Sequence, residues 1–371
     1  MDKVAGIKIN EKISGANDII RRCIGKNGLW AGPARYRYQC WTRDLVIAGI
    51  DALFSIGRSD VVRKHLEVLA KKQRANGQIP IQFIDNLPRW LLRKVIKTIL
   101  SLRTSFMLAR WFVGVMGLQR GISVEILTPW TKDSEILFCI GVLEYAEKTG
   151  DTAFRARYQK NIDSAIRFIE RELVKDGLVY GGDWRDTMEH LGEKAILTNN
   201  VFLYRLYALS GNSGKALALK TKINTEFWNG FFYRDWIGGD DFDTFGQALA
   251  VLYDIVPPER YPNILQKFSS VRKHYGYMTN DVVPAPTSRA EAAVIATTNQ
   301  FSVLWPFING FVLLAMTKMG IREEAGRAFL LWTKLHGFYE WYDPHTGKGY
   351  GESEQVWSAA LYLRCARELA Q

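Results

Sequence analysis

A segment that is apolar around most of its circumference, "TRDLVIAGIDALFSIG" (42–57), is followed at once by "SDVVRKHLEVLAKKQRANG" (59–77), which opens on a Ser-Asp cap and carries its charges on one face. The succession recurs in "KDSEILFCIGVLEYAEKTG" before "DTAFRARYQKNIDSAIRFIERELVKDG", and in "NQFSVLWPFINGFVLLAMTKMG" before "IREEAGRAFLLWTKLHG". A helix apolar all round must be buried on every side, whereas an amphipathic one covers a core with a single stripe. Repeated inner–outer pairs leave two architectures: an open solenoid, or a ring whose inner helices face a common axis. Solenoid repeats share a self-similar sequence pattern, and these pairs share only the alternation. The longest loops also fall between an outer helix and the next inner one. The sequence therefore predicts an all-α closed toroid, with those loops building a site at one end.

Each quoted inner helix ends near a Gly, a common C-terminal stop. Further helices are predicted at Ile13 to Ile24, Ala195 to Leu209, Gly214 to Phe227, Asp243 to Tyr253, Pro258 to Val271 and Glu354 to Ala370, about twelve in all. No internal run shows the short, regularly spaced alternating strands of a sandwich or barrel. The expectation is one domain over residues 1–371, since toroids exceed the usual domain size.

Aromatic residues make up 13% of the chain, with 12 Trp, a level suited to a sugar-binding cleft as well as to a large core. The formal charge of +11 invites a nucleic-acid reading, but it is concentrated in one place: Leu87 to Val124 holds seven Arg or Lys and no acid. The remainder is nearly balanced, so no nucleic-acid partner is expected. This 86–124 segment sets Arg89, Arg93 and Lys97 on one helical stripe and Leu92, Ile96 and Ile99 near the other. It is too short and too charged to span a bilayer, and reads as a lid, an interfacial membrane anchor or a dimer contact. Cys23, Cys40, Cys139 and Cys365 are scattered without metal spacing and read as buried free thiols. The start "MDKVAGIKINEKISG" does not read as a signal peptide. Both point to the cytoplasm, with peripheral membrane association through 86–124 as an open alternative.

Five loop segments carry the chemically suggestive residues: "YRYQCWTRDL" (36–45), "NGQIPIQF" (76–83), "TPWTKDS" (128–134), "YGGDWRDTMEH" (180–190) and the stretch from "FYEWYDPHTGKGYGESEQ" into "VWSAALYL". Read alone, each has a structural explanation: an Asp capping a helix beside its Arg, an Asp-rich turn, a Glu in the first turn of a helix. In this order, over roughly Tyr36 to Ala370, they resemble the catalytic (α/α)6 toroid of inverting glycoside hydrolases: glucoamylases, glycogen-debranching glucosidases, trehalases, neutral invertases and the processing-glucosidase group that includes mannosylglycerate hydrolase.

That resemblance implies roles. "WTRD" would set Arg43 and Asp44 against sugar hydroxyls, with Trp41 as a platform. "GGDWRDTM" would make Asp186 the general acid, with Asp183 as the fallback, and Trp184 beside it would desolvate the carboxyl. The base would be Glu340, ahead of Trp357-Ser358, while Glu352 and Glu354 read as first-turn dipole partners. Trp130, Asp133 and Trp305 would lie near the sugar, with Gln78 and Asn200 as further contacts. Asp240, Asp241 and Asp243 lack the spacing of a calcium loop and read as solvated. His190 and His345 read as structural.

The expected activity is inverting hydrolysis of an α-glucoside or similar small oligosaccharide, a carbohydrate substrate with no cofactor and no metal. The alternatives are an inert glycan-binding or membrane-associated toroid, or a sugar epimerase or lyase on the same fold. Two departures stand out. The resembled families often carry an N-terminal β-domain, which is not seen before these helices, and 86–124 matches no element of theirs.

Overall fold

A computed structural model describes residues 3–85, 130–186, 188–283, 292 and 300–369. The outer helices are α1 (Lys3–Arg22), α3 (Ser59–Lys71), α5 (Thr152–Phe168), α7 (Ser213–Lys222), α9 (Tyr261–Val271) and α11 (Arg322–Thr333). The inner helices are α2 (Ile50–Ser55, extended backwards by a π-helical turn Asp44–Gly49), α4 (Ser134–Thr149), α6 (Leu197–Leu209), α8 (Thr244–Leu252), α10 (Pro306–Lys318) and α12 (Val356–Leu369). The basic 86–124 segment lies outside the described residues.

Sequence explains the two classes. In α10, "PFINGFVLLAMTK", every residue from Pro306 to Met316 is buried, and Pro306 starts the helix where its missing N–H goes unneeded. α3 buries only the stripe Val61, Val62, His65, Leu66, Leu69 and Ala70. Each fully buried Leu, Ile or Phe on an inner helix contributes about 1.5–3 kcal/mol. Gly310 of α10 lets α12 come close, because a Cβ there would stand 2.9 Å from Leu361. Gly150, in the left-handed region at φ 70, ends α4, and the Asp151 carboxylate then accepts the Phe154 N–H to start α5.

Each inner helix packs on the next, and α12 packs back on α2 and its π-helical turn, so the ring closes; α1 completes the outer layer against α12 and α11. Connections from inner to outer helices are 2 to 8 residues long, whereas every connection from outer to inner is at least 21. The long loops therefore all enter inner helices at their N-terminal ends, on one face of the toroid.

Among the described residues those loops contain four two-stranded antiparallel ribbons not expected from the sequence: β1 (Gln39–Trp41) with β2 (Gln82–Ile84), β3 (Val174–Lys175) with β4 (Leu178–Val179), β5 (Arg272–Lys273) with β6 (Gly276–Tyr277), and β7 (Trp341–Tyr342) with β8 (Gly349–Tyr350). The four cysteines are free and buried. Among the described residues no helix is long and apolar enough to cross a membrane.

One acidic cluster differs from its reading as solvated. Asp240 pairs with Arg234 in an exposed setting. Asp243, by contrast, is buried as the cap of α8, accepting the N–H groups of Phe245 and Gly246 and the Thr198 hydroxyl. Burial, reinforced by Asp235, raises its carboxyl to about 7.

Candidate active site

Where the long loops meet, a pocket of about 390 Å³ opens over the N-terminal ends of the inner helices. The α1–α2 loop lines it with Ala31, Tyr36, Trp41, Arg43 and Asp44; the α5–α6 loop with Trp184 and Asp186; the residues before α10 with Gln300 and Trp305; and the α11–α12 loop with Glu340 and Gln355, beside Trp357 of α12.

Arg43 ties its own loop to the α5–α6 loop and to the end of the α3–α4 loop. Its Nη1 donates to the Trp184 carbonyl at 3.2 Å and to Asp186 Oδ2 at 3.1 Å, and its Nη2 donates to Asp133 Oδ1 at 3.3 Å. Asp133 stands directly before α4, but its carboxylate turns to Arg43 instead of capping the helix. The Trp130 indole donates to the Asp186 carbonyl at 2.8 Å. Asp133 and Trp130 thus sit one layer behind the pocket. Burial raises the Asp186 carboxyl, with Arg43 and a Gln300 hydrogen bond working against the rise.

Glu340 faces the same pocket from the β7–β8 hairpin. The aromatic run around it is cross-strand packing: Trp341 stacks on Tyr350 with centroids 4.3 Å apart, and the buried Tyr342 hydroxyl donates to the His336 carbonyl. The Asp343 carboxylate holds the turn by accepting the N–H groups of His345 and Thr346. Glu340 Oε1 accepts the Tyr36 hydroxyl at 2.6 Å, and Oε2 accepts the Glu352 N–H at 3.0 Å and Arg35 Nη1 at 3.4 Å. Burial raises this carboxyl too, opposed by Tyr36, Arg35 and the Glu352 N–H.

Gly351, at φ 75, packs against Glu340: a Cβ there would meet Oε2 at 2.2 Å. Gly351→Ala is therefore expected to lower stability by about 1–2 kcal/mol through the left-handed backbone alone, with more from displacement of Glu340. Denaturant unfolding measures the loss, and unchanged stability would contradict this packing.

Asp44, buried at the start of the π-helical turn, accepts from Gln355 Nε2 at 3.3 Å. Burial raises it to about 8, with Arg43 opposing and Glu340 and Asp186 reinforcing. Arg43 Nε is ion-paired with Asp133 at 3.2 Å; among the described residues, three other buried polar atoms on residues that line the pocket make no hydrogen bond: the indole nitrogens of Trp184 and Trp357 and Oε1 of Gln355. Each would cost about 1–3 kcal/mol if left unsatisfied.

A larger cavity, about 910 Å³, lies at the other end of the ring axis. Five of its charged side chains pair with one another: Asp51 holds Lys148 at 2.9 Å and Arg364 at 3.0 Å, and Glu144 holds Arg205 at 3.2 Å. Among the described residues no orphaned polar atom faces it. The smaller pocket is the one that gathers Arg43 with the three carboxyls of Asp44, Asp186 and Glu340.

The loops bring together Trp41, Arg43, Asp44, Trp184, Asp186, Trp305, Glu340 and Trp357. Gln78 stands away from the pocket, its Oε1 taken by Arg74. Asn200 is spent on backbone, exchanging bonds with Val179 and donating to the Ile196 carbonyl. Asp183 is fully buried under Arg185. Glu352 and Glu354 precede α12, which begins only at Val356, so neither belongs to its first turn. Glu352 is buried and accepts the Arg35 N–H at 2.5 Å, while exposed Glu354 forms a two-pronged pair with Arg22. Sequence reasoning missed Tyr36, Gln300 and Gln355; Tyr36 opens the very motif that contains Arg43.

No protein-family profile matches the chain. Over 63 residues, 16% of this chain and 14% of the relative, it is 36% identical to a mannosylglycerate hydrolase of Rubrobacter radiotolerans. Among solved structures it is similar to a glycosidase variant in complex with glucose, at TM-score 0.67 and 15% identity over 100% of this chain and 99% of that one. It is also similar to the GH63 mannosylglycerate hydrolase of Thermus thermophilus in complex with glucose, at TM-score 0.65 and 16% identity over 94% and 98%. The chain has the (α/α)6 toroid of these glycosidases.

Proposed function

We propose that this protein is a glycoside hydrolase that inverts the anomeric centre of an α-glucoside or similar small oligosaccharide. Asp186 is the general acid and Glu340 the general base. The observation that carries this reading is that both carboxyls line one pocket together with Arg43 and the aromatic rings of Trp41, Trp184, Trp305 and Trp357. A sugar ring, with several hydroxyls that each donate and accept and an apolar face, suits a pocket lined by carboxyls, a guanidinium and indoles.

In the proposed reaction Asp186 gives its proton to the glycosidic oxygen as the bond to the anomeric carbon breaks. Glu340 takes a proton from the water attacking the opposite face. Inversion requires room for that water, a carboxyl separation of about 6.5–9.5 Å. Tyr36, Arg35 and the Glu352 N–H hold Glu340 in place, while Arg43 and Gln300 hold Asp186.

An epimerase or lyase would need a His or Tyr base. Tyr36 does line the pocket, but burial and the adjacent Glu340 hold its phenol far above the ordinary value, and its hydroxyl donates a hydrogen bond to Glu340. The test is a screen of purified protein against trehalose, maltose, isomaltose, sucrose, glucosylglycerate and mannosylglycerate, the last because the named relatives are mannosylglycerate hydrolases. Released sugar supports hydrolysis; an unsaturated product absorbing in the ultraviolet would support a lyase.

Arg43→Lys keeps the charge but loses the planar fork that reaches Asp133, Asp186 and the Trp184 carbonyl together. Turnover is expected to fall about 10²-fold with the fold retained, since a displacement of about 1 Å can have that effect. A protein that melts early yet turns over normally per folded molecule would make Arg43 structural only.

A further inference from the structure

Immediately before Asp186 in the chain stands Arg185, whose side chain is buried and held on both edges. Its Nε and Nη2 donate to Asp183 at 3.0 and 2.8 Å, and its Nη1 and Nη2 donate to Asp235 at 2.5 and 2.8 Å. The Arg185 N–H also donates to Asp183 Oδ1 at 3.0 Å, which closes the 183–185 backbone into a tight ring. Asp235 is anchored in turn: its carbonyl accepts the Leu197 N–H at the start of α6 at 2.7 Å. Nearby, Thr198 of α6 bonds the Asp243 cap of α8.

This is a costly way to fasten a loop. Two buried carboxylates share one guanidinium, and a buried ion cluster is commonly no more stable than well-packed apolar side chains of the same volume. A doubly bidentate guanidinium does supply direction, because the planar fork fixes both partners' angles as well as their distances. Residues 183–186 belong to no helix or strand, so their positions rest on such contacts. The peptide leading into Asp186 is pinned by Arg185, and the Asp186 carbonyl by Trp130.

We infer that Arg185, clamped between Asp183 and Asp235, is a positioning residue that sets where the Asp186 carboxyl stands in the pocket. The inference rests on the proposed role of Asp186 as the acid. It also reassigns Asp183, the alternative acid on sequence grounds, to the clamp.

The test compares an alkyl glucoside, whose departing alkoxide needs a proton, with glucosyl fluoride, whose fluoride departs with little help. Wild type, Asp186→Asn, Arg185→Lys and Asp235→Asn are assayed on both. Arg185→Lys is expected to lower kcat about 10²-fold on the alkyl glucoside, with KM and the fluoride rate within about threefold of wild type. Asp235→Asn, which keeps the side-chain shape, should show the same selectivity more weakly and decides the question if Arg185→Lys does not fold. Equal loss on both substrates, or no loss, would overturn the positioning role. If Asp186→Asn itself shows no selective loss, the acid assignment fails and this inference falls with it.

Discussion

Glu340→Gln is expected to lower turnover by about 10⁴-fold while KM changes little, because the isosteric amide fills the same space but cannot accept a proton from water. The amide oxygen can replace Oε2 against the Glu352 N–H and Arg35 while the amide nitrogen donates to the Tyr36 oxygen, so the pocket wall should keep its shape. Circular dichroism and an unchanged unfolding midpoint would verify that the protein is folded. Glu354→Gln is the matched control: that carboxylate is exposed and paired with Arg22, and its loss should leave turnover within about twofold of wild type, as for most surface changes. Full activity of Glu340→Gln would remove the base assignment whatever the substrate.

Asp186→Asn should lower turnover by about 10³- to 10⁴-fold on an alkyl glucoside and far less on glucosyl fluoride. It should also change the pH profile. The base must be ionised, so activity falls as pH drops through the Glu340 pKa; the acid must be protonated, so activity falls as pH rises through that of Asp186. Burial raises both groups, and both limbs are therefore expected above the ordinary carboxylate range. In Asp186→Asn the alkaline limb should disappear and the acid limb remain. An alkaline limb that survives the substitution belongs to another group and would contradict the assignment.

The helical skeleton was legible because burial on all sides leaves a mark over ten or more residues. The inner run ending at Met316 and the one-faced α3 could hardly be read otherwise. The ribbons left no such mark, since strands of two or three residues are too short to show an alternation. Their consequence is large all the same: the β7–β8 hairpin presents Glu340, and the aromatic cluster around that residue is the hairpin's own packing. Asp243 read as solvated because it follows two other aspartates, and only the folded chain brings Thr198 and the first turn of α8 around it.

The lining of the candidate pocket was legible where a motif set its residues side by side, as in "WTRD" and "DWRD". It was opaque where a residue acts across more than three hundred positions. Tyr36 bonds Glu340, and Gln355 bonds Asp44, through contacts that no local pattern encodes. Asn200 misled for the opposite reason. A buried Asn at the start of an inner helix has the chemistry of a sugar ligand, yet its amide is taken up by the backbone of Val179 and Ile196.

The central claim is that two carboxyls, an acid and a base, act on opposite faces of one sugar. The stereochemistry of the first product tests it most directly. With an α-glucoside that the enzyme cleaves, proton NMR in the first minutes, before mutarotation, should show β-glucose forming first. First-formed α-glucose would contradict the account, because retention calls for a nucleophile about 5–5.5 Å from the acid and a covalent glycosyl intermediate.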